Sequence, residues 1–294
     1  MSKDSTAPRI CFDRVVPEQL DPNAQTHKAA VSRYLTAVKE KGKGSGKRLP
    51  AHASFTAHVA AIGTLGELHA DDPVAIARMA LIDLKKWDPG QTLTCKFLDG
   101  DTFQRQKVTE KAKLWEEYAN VRIDFGDDPN SQVRISFQAD PGSWSAIGKD
   151  CLVTSYFTPN APTMNFGWLR DDTEDQEFER VVVHEFGHAL GCIHEHQQPN
   201  EQLDWDTDAV YRTFAGPPNF WSRAEIDQNI LQKYSPQGIS ATRFDPKSIM
   251  LYQFDASLFK NHVATPLNYE LSVQDETMIS QMYPRSASGA RRTA

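Results

Sequence analysis

The chain has 294 residues, of which 39% are hydrophobic and 24% are charged, and this mixture is typical of a folded globular protein. Its 39 acidic and 32 basic residues give a net charge of -7, so we expect no nonspecific attraction to nucleic acid or anionic lipid. No apolar run approaches the roughly 20 residues that a membrane-spanning helix needs. These properties exclude a membrane-spanning role and fit one large domain or two modest ones.

The first 85 residues differ in pattern from the rest and are predicted to form a separate, partly helical N-terminal region. Apolar spacing predicts helices over residues 27–38 and 72–87, and the Gly- and Lys-rich stretch 39–50 between them predicts an exposed linker. A basic stretch can contact nucleic acid, but no aromatic side chains alternate with these charges to stack on bases. We therefore interpret residues 39–50 as a solvated linker and expect no nucleic-acid partner.

The next part of the chain has the pattern of a sheet packed against a helix. Alternating apolar residues predict three strands, over residues 92–98, 121–125 and 132–137. The helical spacing of Val108, Ala112 and Trp115 predicts a helix over residues 102–119. Strand, helix, strand, strand is the opening of an α/β or α+β domain.

Residues 184–195 read HEFGHALGCIHE and carry the strongest chemical signal in the chain. His184 and His188 are four residues apart, so on a helix both imidazoles project from one face, where one small cation can bridge them. Gly191 permits the left-handed turn that ends a helix, and this turn can direct His194 back toward the same ion. Three histidines and an open position are typical of a catalytic zinc site, so we predict one Zn²⁺ held by His184, His188 and His194.

Glu185 lies beside the first predicted ligand, where its carboxylate can act as a general base on a water molecule without binding the metal. This position predicts a zinc-dependent endopeptidase. A non-catalytic metal-dependent peptide-binding module is the alternative, but such a module has no need for a base there. A capping-box pattern over residues 173–176 predicts the start of the helix. His196 is interpreted as a surface or supporting histidine rather than a fourth ligand.

The motif HExxHxxGxxHE, followed by Ser-Ile-Met-Leu-Tyr at residues 248–252, resembles the astacin family of metzincin zinc peptidases. The resemblance implies an α+β fold with a twisted mixed sheet, an active-site helix and a catalytic cleft between two subdomains. It implies that Met250 forms a tight turn beneath the metal. It also implies that Tyr252 is a fifth zinc ligand and a catalytic residue that stabilises the carbonyl oxygen during hydrolysis.

The resemblance extends over residues 87–284, so we expect a catalytic domain over residues 86–285 and a disordered tail over residues 286–294. It implies a strand at the edge of the sheet above the cleft. There Asn165, Phe166 and Gly167 would offer backbone groups to an extended substrate. It also implies a C-terminal helix over residues 271–283, capped by Ser272.

The cysteines depart from the family pattern. Ser143 stands where the family has a cysteine, and Cys192 stands where an aromatic residue is common. The usual framework of two disulfides is therefore not present in its usual form, and the pairing of Cys11, Cys95, Cys151 and Cys192 stays open. We interpret Cys192 as a small buried hydrophobic residue.

The segment Pro8–Asp13 offers two further side chains that can bind zinc, the Cys11 thiol and the Asp13 carboxylate. Metzincin prosegments commonly block the metal with a cysteine or an aspartate, so residues 1–85 are either an inhibitory prosegment or structural support for the catalytic domain. The resemblance also implies protein or peptide substrates and an extracellular location, although no signal peptide is visible at the start of the chain. Cleavage specificity and oligomeric state stay open.

Overall fold

The computed structural model describes residues 11–14, 16, 85–140, 142–198, 201, 203–217, 219–233 and 244–285. Within this part of the chain, six strands form one mixed sheet. The strands are β1 (Phe12–Arg14), β2 (Thr92–Phe97), β3 (Arg122–Phe125), β4 (Val133–Ser136), β5 (Trp144–Ala146) and β6 (Met164–Asn165). Their spatial order is β1-β5-β6-β4-β2-β3, and the β5 and β6 pair is antiparallel whereas the other neighbours are parallel.

Helices pack against this sheet and then dominate the second half of the chain. The α-helices of the described residues are α1 (Thr102–Ala112), α2 (Asp175–Ala189), α3 (Thr207–Ala215), α4 (Arg223–Ile226) and α5 (Val273–Met282). The α+β class is therefore confirmed, as are the three strands predicted between residues 92 and 137. The helix predicted over residues 102–119 is shorter, because α1 gives way to a 3₁₀ helix at Lys113–Glu117.

The core is built around α2, whose second half is buried on every side. Trp115 and Phe186 are fully buried there. The Trp115 indole donates a hydrogen bond to the Val183 carbonyl at 2.9 Å, so its polar atom is satisfied inside the core. Trp87 donates in the same way to the Ala189 carbonyl at 2.8 Å. These contacts fix the helix that carries the HExxH motif.

The prediction that Asn165, Phe166 and Gly167 lie at the sheet edge is wrong. β6 lies between β5 and β4, so its backbone groups are used inside the sheet. The Asn165 side chain is buried and bridges to the Gln138 backbone, and an added Cβ on Gly167 would lie 2.5 Å from the backbone of Gly142. Asn165 and Gly167 therefore pack against the backbone at Gln138 and Gly142, and β5 lies between β6 and the edge strand β1.

β1 pairs in parallel with β5, so part of the predicted N-terminal region belongs to the same sheet as the predicted catalytic domain. The predictions for residues 27–38, the linker 39–50, residues 72–84 and the tail 286–294 lie outside the described residues. Among the described helices, none has the length and apolar character that crossing a membrane requires.

Candidate active site

The helix that carries the first two histidines begins without the predicted capping box. Its N-cap is Glu174, which makes no side-chain capping bond, so the prediction over residues 173–176 is wrong. The Thr173 hydroxyl instead accepts a hydrogen bond from the Arg170 backbone N–H at 2.9 Å. Asp175 and Glu177 lie in the first turn, where negative charge is favoured by the helix dipole.

The end of α2 follows the sequence prediction. Gly191 has a φ of 96°, a left-handed conformation that glycine adopts without a Cβ clash. The Gly191 N–H donates to the His188 carbonyl at 2.8 Å, and the Cys192 N–H donates to the Gly187 carbonyl at 2.9 Å. These two bonds define a Schellman motif, which stops the helix and turns the chain toward His194.

The three predicted metal-binding histidines come together in the interior of the protein. His184, His188 and His194 each offer a ring nitrogen, and these nitrogens lie within 4.8 Å of one another. All three side chains are buried. The Nε2 atoms of His188 and His194 are 2.9 Å apart. Nitrogens at such separations can share one small ion, since zinc binds imidazole at about 2.0–2.1 Å.

Backbone carbonyls orient the two helical histidines. Nδ1 of His184 lies 2.7 Å from the Ile249 carbonyl oxygen, and Nδ1 of His188 lies 2.9 Å from that of Cys192. Because a carbonyl only accepts, each Nδ1 carries the hydrogen, and each Nε2 presents a lone pair to the site. Nε2 of His184 is buried and has no hydrogen-bond partner among the described residues.

Burial keeps the three imidazoles neutral. Desolvation lowers the pKa of His188 to about 4, and desolvation together with neighbouring histidines holds the pKa values of His184 and His194 well below the usual value. The neutral imidazole is the form that binds a metal ion. The third histidine, His194, has its Nδ1 3.4 Å from Oε1 of Gln197. This donor set fits zinc.

Two further predicted residues lie beside the histidines. Glu185 is fully buried, and one of its carboxylate oxygens belongs to a group with His184 and Cys11 whose ligand atoms lie within 4.8 Å of one another. The Tyr252 ring centroid is 4.1 Å from that of His194 and 5.6 Å from that of His184. A carboxylate and a phenol therefore flank the same cluster of imidazoles.

The predicted Met-turn lies against α2. An added Cβ on Gly187 would be 2.5 Å from the Met250 sulfur, so the helix approaches the turn as closely as only glycine allows. Asp275 holds the turn from the other side, since its carboxylate accepts from the Ser248 hydroxyl at 2.7 Å and from the Ile249 N–H at 2.8 Å. The turn thereby fixes the Ile249 carbonyl, which accepts from His184.

Asp275 and Ile249 were not identified from the sequence as site residues. Ser272, the predicted cap of α5, does form a capping box with Asp275. That pattern signals only the start of a helix. The second use of the Asp275 carboxylate, as acceptor for the Ile249 N–H beside the histidine cluster, depends on a contact between residues 26 positions apart.

His196 is buried, not on the surface, and it lies outside the cluster of three histidines. Its ring centroid is 4.9 Å from that of Tyr252 and 5.2 Å from that of His194. Its Nε2 donates to the Asn229 carbonyl at 3.1 Å. His196 thus supports the site, which was one of the two interpretations of the sequence.

The N-terminal strand reaches the cluster through Cys11. The Cys11 thiol is buried beside His184 and Glu185, and desolvation together with the Glu185 carboxylate raises its pKa well above the usual value. The Arg14 guanidinium lies 3.9 Å from the centre of the Trp144 ring, a cation–π contact across the β1–β5 pair. All four cysteines are buried free thiols, so the pairing that the sequence left open is absent.

No protein-family model matches the chain. Two solved structures of myroilysin are similar to it over about two thirds of its length. One structure of myroilysin superposes with a TM-score of 0.66 at 38% identity and covers 70% of this chain and 98% of that chain. A second structure of myroilysin has a TM-score of 0.55 at 38% identity and covers 68% of this chain and 86% of that one.

Curated relatives match a shorter region. Zinc metalloproteinase dpy-31 of Teladorsagia circumcincta is 28% identical over 120 residues, which are 40% of this chain and 17% of the relative. Zinc metalloproteinase nas-38 of Caenorhabditis elegans is 27% identical over 121 residues, which are 40% of this chain and 14% of the relative. The match therefore spans less than a fifth of either relative.

Proposed function

The chain belongs to the astacin family of zinc metalloproteinases, and we propose that it is a zinc-dependent endopeptidase acting on protein or peptide substrates. The observation that carries this proposal is the buried convergence of ring nitrogens from His184, His188 and His194 beside the Glu185 carboxylate. These histidines would hold one catalytic Zn²⁺. Bound there, zinc supplies Lewis-acid chemistry, polarising a carbonyl and lowering the pKa of water.

The chain's own residues would move the proton and stabilise charge. Glu185 would accept a proton from the attacking water and return it to the departing amine, the work of a general base and then a general acid. The Tyr252 hydroxyl would donate a hydrogen bond to the carbonyl oxygen as negative charge develops there. The Met250 turn would hold the Ile249 carbonyl in place and so keep His184 in its metal-binding orientation.

A non-catalytic metal-dependent peptide-binding module is the alternative function. The same three histidines would serve both functions, so metal binding alone does not separate them. Glu185 separates them, because burying a carboxylate costs free energy and a module that only binds peptide gains nothing from it. The position of Glu185 therefore favours hydrolysis.

The test measures zinc content and peptide cleavage together, on the intact chain and on the same protein after limited proteolysis within residues 39–50. Wild-type protein should hold one zinc and cleave internal bonds of a peptide library, with the sites mapped by mass. Glu185→Gln should keep the zinc and lose about 100-fold to 10,000-fold of the cleavage rate. Zinc-loaded wild type that binds peptides without cleaving them would establish the binding module instead.

We also propose that residues 11–14 hold the site in an inactive form, which gives the N-terminal region the role of a prosegment. Cys11 places its thiol beside His184 and Glu185, from where it would serve as a fourth zinc ligand. β1 occupies the edge of β5, where an extended peptide would otherwise add to the sheet. These contacts support Cys11 as the blocking group, and Asp13 is the other candidate.

Activity of the intact chain tests this proposal. Cys11→Ser should raise peptide cleavage before proteolysis, since a hydroxyl is a much weaker zinc ligand than a thiolate. Asp13→Asn is the matched control and should change little. Equal activity of intact and proteolysed wild type, with no effect of Cys11→Ser, would leave residues 1–85 as structural support.

A further inference from the structure

The 3₁₀ turn Glu195–Gln197, which directly follows the third histidine, is tied to a distant helix end. His196 Nε2 donates to the Asn229 carbonyl at 3.1 Å, and Gln197 Nε2 donates to the Gln228 carbonyl at 2.7 Å. Two consecutive side chains therefore reach two consecutive carbonyls more than 30 positions along the chain. This arrangement anchors the turn at two points.

The geometry of the helix end explains why these carbonyls are available. α4 continues into a π-helical turn, Asp227–Leu231, and the last carbonyls of any helix lack partners within it. The Gln232 N–H donates to the Asp227 carbonyl, which leaves those of Gln228 and Asn229 for other donors. Side chains of the 3₁₀ turn cap them. Single π-turns of this kind are frequent near functional sites.

Aromatic rings contact the His196 ring, in addition to its hydrogen bond with the Asn229 carbonyl. Its centroid is 4.9 Å from that of Tyr252, with the planes 32° apart, and Phe254 contacts it edge-on at 5.0 Å. Since Nε2 must carry the hydrogen to donate to a carbonyl, Nδ1 is an acceptor, and it is buried without a hydrogen-bond partner among the described residues. The His196 ring therefore makes one hydrogen bond, through Nε2, and otherwise packs as an aromatic ring.

We propose that His196 is a positioning residue that fixes the Tyr252 ring, and that Gln197 plays the separate role of orienting His194. Gln197 uses its amide nitrogen for the helix end and its oxygen for His194 Nδ1 at 3.4 Å. His196 also stacks on the His194 ring, with centroids 5.2 Å apart, but Gln197 is the side chain whose oxygen faces His194 Nδ1. The main action of the two side chains is therefore on different parts of the site. This inference rests on the proposed function, because Tyr252 and His194 matter there as an oxyanion donor and a zinc ligand.

The two roles predict different changes in kinetics and zinc affinity. His196→Phe keeps an aromatic ring but removes the hydrogen bond to the Asn229 carbonyl, and His196→Gln keeps a hydrogen-bond donor but removes the ring. Both should lower kcat with KM and zinc content unchanged, by no more than the loss in Tyr252→Phe, on the order of 100-fold. Gln197→Met should instead weaken zinc affinity by about 10-fold to 100-fold, as loss of a partner to a metal-binding histidine does.

A double-mutant cycle separates positioning from a general structural role. In a Tyr252→Phe background, the His196 variants should lower kcat no further, because the hydroxyl that they misplace is already gone. The same fold-loss in both backgrounds, or loss of zinc from the His196 variants, would overturn the proposal.

A second measurement needs neither zinc nor activity. In metal-free protein with isotope-labelled tyrosine, Tyr252→Phe identifies the Tyr252 signal among the eight tyrosines. His196→Phe and His196→Gln should shift or broaden that signal and leave the other seven in place, whereas Gln197→Met should leave all eight. An unmoved Tyr252 signal would overturn the positioning role even in a protein with no peptidase activity. If the Tyr252 signal moves in the His196 variants but the zinc-loaded wild type cleaves no peptide, only the proposed function would be overturned.

Discussion

The candidate site has a helical half, His184 and His188, and an irregular half, His194 and Tyr252, and different kinds of contact position them. His184 and His188 lie one turn apart on α2, so the helix itself sets their spacing. His194 and Tyr252 lie on irregular segments, and contacts between distant parts of the chain set their positions. The Glu195 N–H donates to the Met250 carbonyl at 2.9 Å, which joins the two irregular segments directly.

This difference separates local from tertiary specification of a site. The helical half needs only a helix and the Gly191 turn that ends it. The other half needs Asp275 to hold the Met-turn and the helix end at residues 227–231 to hold the 3₁₀ turn. We therefore expect substitutions in the helical half to remove zinc or chemistry outright. Substitutions in the supporting contacts should cause graded losses.

The largest effect is expected from the three histidines that we propose as zinc ligands. Alanine at His184, His188 or His194 should release zinc to a chelator that does not strip the wild type, and peptide cleavage should fall to background. Removing one of three protein ligands leaves too few for a stable catalytic site. Zinc content after dialysis measures this, with His196→Phe as the histidine control that retains the metal. Stoichiometric zinc in all three alanine variants would contradict the assignment.

The next effect compares Tyr252, in the irregular half, with the helical histidines. Tyr252→Phe should keep the fold and the zinc but lower kcat on the order of 100-fold, because it removes one hydroxyl that would stabilise developing charge. KM should change little. Steady-state kinetics on one well-cleaved peptide measures both parameters. A change confined to KM would make Tyr252 a residue that positions substrate.

The sequence predicts the helical half well because its signals are local. The spacing of His184 and His188, and Gly191 three residues later, are properties of a short stretch, and the structure has the helix and the turn there. The capping-box prediction failed, although it was also local, because Thr173 bonds the Arg170 N–H instead. The pattern alone does not determine which backbone N–H the hydroxyl will accept from.

The edge-strand prediction failed for a different reason. Asn165 lies in a strand, as the resemblance implied, but whether a strand is at an edge depends on which other strand pairs beside it. That partner is β5, and β5 is in turn covered by β1. The pairing of β1 joins residues more than 130 positions apart and leaves no local signal. The role of Asp275 beneath the Met-turn was missed on the same grounds.

Asp275→Ala should destabilise the turn at residues 248–252, which carries Tyr252 of the irregular half. The substitution leaves the buried Ser248 hydroxyl and the Ile249 N–H without their acceptor, and each such group costs about 1–3 kcal/mol. We expect a loss of about 3 kcal/mol in the free energy of unfolding, measured by chemical denaturation of the metal-free protein. Val273→Ala, in the same helix turn and 78% exposed, is the control and should change stability by less than about 0.5 kcal/mol. Equal stabilities would show that the turn does not depend on Asp275.

Gly187→Ala probes the contact between the two halves. An added Cβ would lie 2.5 Å from the Met250 sulfur, and overpacking of this kind typically costs about 1–3 kcal/mol. Alanine also gains up to about 1 kcal/mol of helix propensity over glycine, so we expect a net loss of about 1 kcal/mol. Gly126→Ala is the control, since no atom lies within 4 Å of its added Cβ. A stabilised Gly187→Ala would mean that Met250 moves aside freely.

The smallest effect is expected at β1, the strand that we propose holds the site inactive. Arg14 stacks on Trp144 at 3.9 Å, and a cation–π contact at a partly exposed position contributes about 0.5–1 kcal/mol. If β1 must leave before substrate binds, Arg14→Leu shifts that equilibrium and should raise peptide cleavage by the intact chain about 2-fold to 5-fold. After proteolysis within residues 39–50 and removal of the N-terminal fragment, variant and wild type should be equal, because the residue is then absent from both. Arg122→Leu, which removes an arginine that is 72% exposed on the far edge strand, is the control and should leave cleavage unchanged. An Arg14→Leu chain no more active than wild type before proteolysis would show that the cation–π contact does not restrain β1.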